Sequence, residues 1–193
     1  MDTIVLKDRI TGSMSDEEFL WFCQENKDLR IERNKNLEII IMSPTNSFSG
    51  KINTEVLRQL SNWNHQSRLG EVFDSSTGFS LPDRSIFSPD AAWMPKAKWN
   101  QLTDEQKNSF APVCPDFVIE IRSKSDYIED VVAKMENWMN NGAVQGWIID
   151  PIDEKVYLFH QDGRKEMVEG FGKSIKASHP VQGFELDLSL LKI

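Results

Sequence analysis

The chain has 193 residues, 39% of them hydrophobic and 27% charged, with a formal net charge of −8. These proportions exclude a disordered or fibrous protein and suffice for one hydrophobic core, so a single domain over residues 1–193 is expected. No apolar run approaches the roughly 20 residues of a membrane span. The N-terminus has neither a basic start nor a cleavage site, which predicts a cytoplasmic protein without membrane contact, while the acidity counts against a protein that coats DNA non-specifically.

The first element is a short helix opened by the capping box Ser15-Asp16-Glu17-Glu18 ahead of Phe19, Leu20, Phe22 and Cys23. Leu29 to Arg33 and Leu37 to Met42 flank the polar turn Asn34-Lys35-Asn36 and read as a β-hairpin. From Ser47 to Arg68, Phe48, Ile52, Val56, Leu60 and Trp63 recur at helical spacing, with Gly70 as the stop. Glu55 falls on the border of that apolar face, where a carboxylate wants a partner.

Three short strands are predicted next, Glu71 to Phe73, Gly78 to Leu81 and Ala91 to Met94, broken by Pro82-Asp83 and Ser88-Pro89. Residues 96–115 form a long polar connection with one helical turn, capped by Thr103-Asp104-Glu105-Gln106. Phe117-Val118-Ile119-Glu120-Ile121 has the pattern of a central strand covered on both faces. A helix through Ile128, Val131, Val132, Met135, Trp138 and Met139 follows, ending at Asn141-Gly142. Trp147 to Asp150 and Val156 to Phe159 complete the predicted strands, and the order of elements describes an α/β (α+β) fold with a mixed sheet flanked by helices.

Cys23 and Cys114 stand 91 positions apart with no nearby partner, which excludes a CxxC zinc site; His65, His160 and His179 are scattered and receive no role. Chemistry points instead to Ser88-Pro89-Asp90, to Glu120 inside an apolar strand, and to Lys134 on the helix that follows. Each has a plain alternative: a strand-opening aspartate, a glutamate paired with a base such as Arg122, and a lysine whose stem lies along an apolar face. Glu120 is the hardest to explain so, because a charge in a central strand costs several kcal/mol, ~3 or more, unless it is paired or holds a metal. Two carboxylates on adjacent strands suit Mg²⁺, with Mn²⁺ as a substitute, and a nearby ammonium would stabilise charge developing at a phosphodiester.

Ser88-Pro89-Asp90-Ala91, Cys114 through Ser123 with Ser125, Lys134-Met135 with Asn141-Gly142-Ala143, and Gly146-Trp147-Ile148-Ile149-Asp150-Pro151 resemble, in that order, a bacterial family of endonucleases long labelled a domain of unknown function, within the PD-(D/E)XK superfamily. The resemblance implies a restriction-endonuclease-like fold and DNA hydrolysis, with Asp90 and Glu120 as metal ligands and Glu55 as an additional acidic member. Pro115-Asp116 lies too close to Glu120 on one strand, so Asp116 is read as structural. The superfamily's acid-x-lysine element carries Arg122 here, which cannot act as a base but can hold phosphate. The resemblance assigns the lysine to Lys134, with Lys124 as rival. A basic rim of Lys51, Arg58, Arg84, Lys96 and Lys98 would favour DNA over another phosphate ester. A homodimer would allow both strands to be cut, with the six tryptophans as possible interface material. A nuclease fold kept only for binding or assembly is the alternative.

Overall fold

The computed structural model describes residues 3–6 and 14–192. In chain order these form β1 (Thr3–Leu6), α1 (Asp16–Glu25), β2 (Arg30–Arg33), β3 (Ile39–Met42), α2 (Ser47–Ser67), β4 (Gly70–Asp74), β5 (Phe79–Ser80), β6 (Ile86–Phe87) and β7 (Ala91–Pro95). Then come α3 (Lys96–Trp99), α4 (Asp104–Lys107), β8 (Phe117–Ile121), α5 (Ile128–Asn140), β9 (Gln145–Asp150), β10 (Lys155–His160), β11 (Lys165–Glu169), β12 (Ser174–Lys176), β13 (Glu185–Asp187) and a terminal 3₁₀ turn (Leu188–Leu191).

The central sheet has the strand order β11-β10-β9-β8-β7-β4, and only β8 and β9 run parallel within it. That parallel pair needs a crossover, which α5 provides. A second, antiparallel sheet has the order β1-β3-β2-β6-β5, and β12 and β13 pair by themselves. All five residues of β8 are buried, as its continuous apolar pattern requires. One face of the central sheet packs Phe117, Ile119 and Trp147 against Ile52, Val56 and Leu60 of α2. The other packs Val118 and Ile148 against Met135 and Trp138 of α5 and Phe79 and Phe87 of the second sheet.

Both capping boxes form, at Ser15 and at Thr103. The hairpin forms as well, but the residue in the left-handed region is Leu37 (φ 65°), while Asn34 Oδ1 accepts from the backbone N–H groups of Asn36 and Glu38. Helix α2 ends one turn element earlier than Gly70 suggests: Arg68 takes the left-handed conformation (φ 54°), and Gly70 already belongs to β4. Short strands β6 and β11 and helix α3 were not expected from the sequence; β6 has only two residues, too few for any period to show. Gly146 is needed for close approach, since a Cβ there would collide with Met135 Sδ, and so it fixes how tightly α5 lies on the sheet beside Lys134. Of the tryptophans, Trp93, Trp138 and Trp147 are buried and Trp21 is exposed, so they serve mostly as core.

Candidate active site

The register of β7 and β8 pairs Ala91 with Ile119. One further step places Asp90 opposite Glu120, so that both side chains leave the same face of the sheet. Asp90 Oδ2 accepts from the Ile121 N–H at 2.8 Å and Oδ1 accepts from Asn53 Nδ2 of α2 at 3.0 Å. Glu120 is 5% exposed, and its Oε1 accepts from Trp138 Nε1 at 2.8 Å and pairs with Lys134 Nζ at 3.2 Å. Trp138 and Lys134 lie four residues apart on α5, one turn of helix, which is why both reach the same carboxylate.

Lys134 is held from three sides. Besides Glu120, its ammonium donates to Ser88 O at 2.9 Å and to Glu32 Oε1 at 3.0 Å. Glu32 comes from β2 in the other sheet and also accepts from the Ser88 N–H at 3.0 Å; it is 3% exposed. Arg30, two residues earlier on the same strand face, brings Nη2 to 3.9 Å from Asp90 Oδ1. Arg30, Glu32, Asp90, Glu120 and Lys134 all line one cavity of about 700 Å³ between the two sheets and α5.

The cluster holds three carboxylates against two cations. Burial pushes the Glu120 carboxyl up to about 7, Lys134 and Trp138 opposing the shift and Asp90 and Glu32 reinforcing it. Burial likewise raises Asp90, against the pull of Arg30 and Lys134. For Lys134, burial alone would favour the neutral amine, but Glu120 and Glu32 more than offset it and hold the pKa above the usual lysine value. In this cluster the two carboxylates thus keep the Lys134 ammonium charged.

The structure brings Asp90, Glu120 and Lys134 together and leaves the other sequence candidates outside. Glu55 does not line the cavity; it pairs with Arg58 and accepts from Gln59 Nε2 at 2.9 Å, near Asp187. Asn53 faces Asp90, and two positions further is about 200° around a helix. Arg122 is likewise not at the cavity: its Nη1 donates to Asp150 Oδ2 at 2.6 Å and to Asp153 Oδ2 at 3.2 Å, because the β9 terminus lies beside it. Lys124 is exposed and does not line the cavity either. The basic rim is not gathered around the carboxylates, since Arg58 binds Glu55 and Lys98 binds Asp116 at 2.9 Å, giving Asp116 a structural partner. Arg30, Glu32, Asn53 and Trp138 were missed; the only signal was that Arg30 and Glu32 share a strand face.

A mixed sheet flanked by helices, with paired acidic residues on adjacent strands and a lysine on the crossover helix, defines a nuclease-like protein. The match over residues 16–189 is to the family model described as "Uma2: Putative restriction endonuclease", and the chain belongs to that family. The fold is also that of a crystal structure described as "a putative nuclease belonging to DUF820" from Anabaena variabilis ATCC 29413. That structure superposes with a TM-score of 0.73 at 18% sequence identity, covering 92% of this chain and 97% of the other. No curated protein matches the chain. Among the described residues, no helix is long and apolar enough to cross a membrane.

Proposed function

We propose that the chain is a Mg²⁺-dependent endonuclease that hydrolyses DNA phosphodiester bonds, with Asp90 and Glu120 as metal ligands and Lys134 as the positive group beside them. The observation that carries this reading is the placement of a buried and a half-buried carboxylate, Glu120 and Asp90, on adjacent strands at the wall of a cavity large enough for a nucleotide segment.

The donor set fits the ion. Mg²⁺ takes one or two carboxylates and completes its shell with water and phosphate oxygens. Among the described residues no group of three or more Asp, Glu, His or Cys is arranged to hold a metal, so Asp90 and Glu120 would share the ion with solvent and substrate. Both partners of Glu120 use Oε1, which leaves Oε2 for another ligand. The excess of one negative charge over Arg30 and Lys134 also suits a divalent cation.

When bound, Mg²⁺ supplies Lewis-acid polarisation of the phosphodiester and acidifies a coordinated water. Asp90 is oriented by the Ile121 N–H and Asn53, Glu120 by the Trp138 indole. Lys134 then offers a preorganised ammonium to the negative charge that builds up in the transition state. Lys134 would thus take the electrostatic role, and Asp90 and Glu120 would hold the ion. Two such sites in a homodimer would cut both strands of a duplex.

The test is cleavage of mixed DNA substrates at low salt with Mg²⁺ or Mn²⁺ by the native protein, Asp90→Ala and Glu120→Ala. Cleavage that disappears in both variants supports the reading. An inert native protein that also shows no Mg²⁺ binding by calorimetry refutes it and favours the binding or assembly module.

A further inference from the structure

The sequence offers Arg122 as the phosphate contact, yet its guanidinium is committed to Asp150 and Asp153. The cavity contains another arginine in the opposite condition. Arg30 lies on β2 at the cavity before Asp90, and its ion pair with Asp90 Oδ1 is 3.9 Å long, beyond hydrogen-bonding distance, while Asp74 feels its charge from further away. Arg30 Nε is buried with no hydrogen-bond partner, while the side chain as a whole remains 28% exposed. A guanidinium has five donors in a planar fork and stays charged at every relevant pH. A buried donor left unsatisfied carries a cost that calls for an explanation, and an absent ligand is one.

The opposing groups define what that ligand is. Asp90 and Glu120 are suited to a cation, which would bring the oxygens of a phosphate to the same place. Arg30 approaches Asp90 from β2 of the second sheet, whereas Lys134 reaches Glu120 from α5, so the two cations meet different carboxylates of the pair. Resting on the nuclease reading above, we infer that Arg30 is the residue that grips the phosphate of the nucleic-acid backbone through its guanidinium fork, the part the sequence alone would give to Arg122. Arginine forks match phosphate geometry with two parallel hydrogen bonds, which a lysine cannot reproduce. The hairpin that carries Arg30 is thereby part of the substrate-binding surface and not only a cover for the core.

The test is fluorescence anisotropy of a labelled DNA duplex in EDTA over a range of salt, paired with cleavage in Mg²⁺, for the native protein, Arg30→Gln, Arg30→Lys and the surface control Lys173→Ala. Arg30→Gln is expected to weaken binding roughly tenfold, the loss of a charge-assisted contact, and to reduce the slope of log K against log salt by about 0.9, one phosphate contact. Arg30→Lys keeps the charge beside Asp90 and recovers the slope but not the full affinity; Lys173→Ala stays within twofold on both. If Arg30→Gln binds with native affinity and slope while the native protein still cuts, the Arg30 assignment is wrong and the nuclease reading survives. If the native protein neither binds nor cuts, both fall. Should Arg30→Gln fail to fold by circular dichroism, Arg30→Lys decides: native affinity and native KM in the folded lysine variant would overturn the fork.

Discussion

Two charged clusters lie side by side where β8 and β9 end, one around Glu120 and one around Arg122, and they are built on opposite principles. In the second, Asp150 is fully buried and saturated: Oδ2 takes the Arg122 guanidinium, and Oδ1 accepts from the N–H groups of Ile152 and Asp153 at 3.1 and 3.2 Å. It holds the β9–β10 turn and does not line the cavity at Glu120. In the first, three carboxylates face two cations across a cavity, Glu120 is pushed up to about 7, and the Arg30 Nε is left without a partner. Burial of charge is therefore not the mark of a site. A charge that is buried, incompletely satisfied and open to a cavity is the informative combination.

The comparison can be tested from both ends. Asp150→Ala is expected to have the largest effect on stability, about 1–3 kcal/mol, since it leaves the N–H groups of Ile152 and Asp153 without their acceptor and the Arg122 guanidinium with Asp153 alone as its acidic partner. Urea denaturation measures it, and cleavage per folded molecule should remain at the native level. A variant that keeps its stability and loses its activity would reverse the two clusters' roles. Lys134→Met retains volume while removing the cation between Glu32 and Glu120. Its single-turnover cleavage should drop about 10²–10³-fold, the scale of a lost transition-state donor.

A smaller loss is expected for Trp138→Phe, which removes the indole N–H that orients Glu120 and also leaves a smaller ring against Phe79 and Phe87. Roughly tenfold in kcat, with KM for DNA unchanged, corresponds to one hydrogen bond to a charged acceptor. A change confined to KM would show instead that the indole shapes the cavity. The smallest effect belongs to Glu55→Ala. Its partner Arg58 is half exposed, so the pair contributes little, and cleavage should stay within twofold. A loss as large as that of Lys134→Met would return Glu55 to the site.

The same contrast shows what the sequence can disclose. Glu120 was legible because a charge inside an apolar strand is anomalous, whereas Asp90 and Lys134 took their roles from the family resemblance. The long elements were legible from their apolar periods, as Ile52, Val56 and Leu60 of α2 and Met135 and Trp138 of α5 show. Glu32 was not legible, because on a four-residue hairpin strand an alternating charge reads as the solvent side, and its burial is created by docking against a helix 102 positions away. A helical wheel placed Glu55 on the border of α2 but could not say which border meets Asp90; Asn53 occupies that one. Arg122 was assigned by its distance from Glu120 along the chain, whereas its partner is fixed by Asp150 on the neighbouring strand.

The bond between Glu32 and Lys134 also sets an order of assembly. Asp90, Glu120 and Lys134 come from successive elements of the central sheet and its crossover, while Arg30 and Glu32 leave the ribosome first and must wait for residue 134 before their carboxylate finds its ammonium. Contacts of such separation close late and slowly, because the loop entropy is spent before the contact returns anything. A nascent or clipped chain that lacks α5 has the hairpin but neither the lysine nor the covered cavity, so the timing of folding itself keeps the site incomplete until synthesis has passed it.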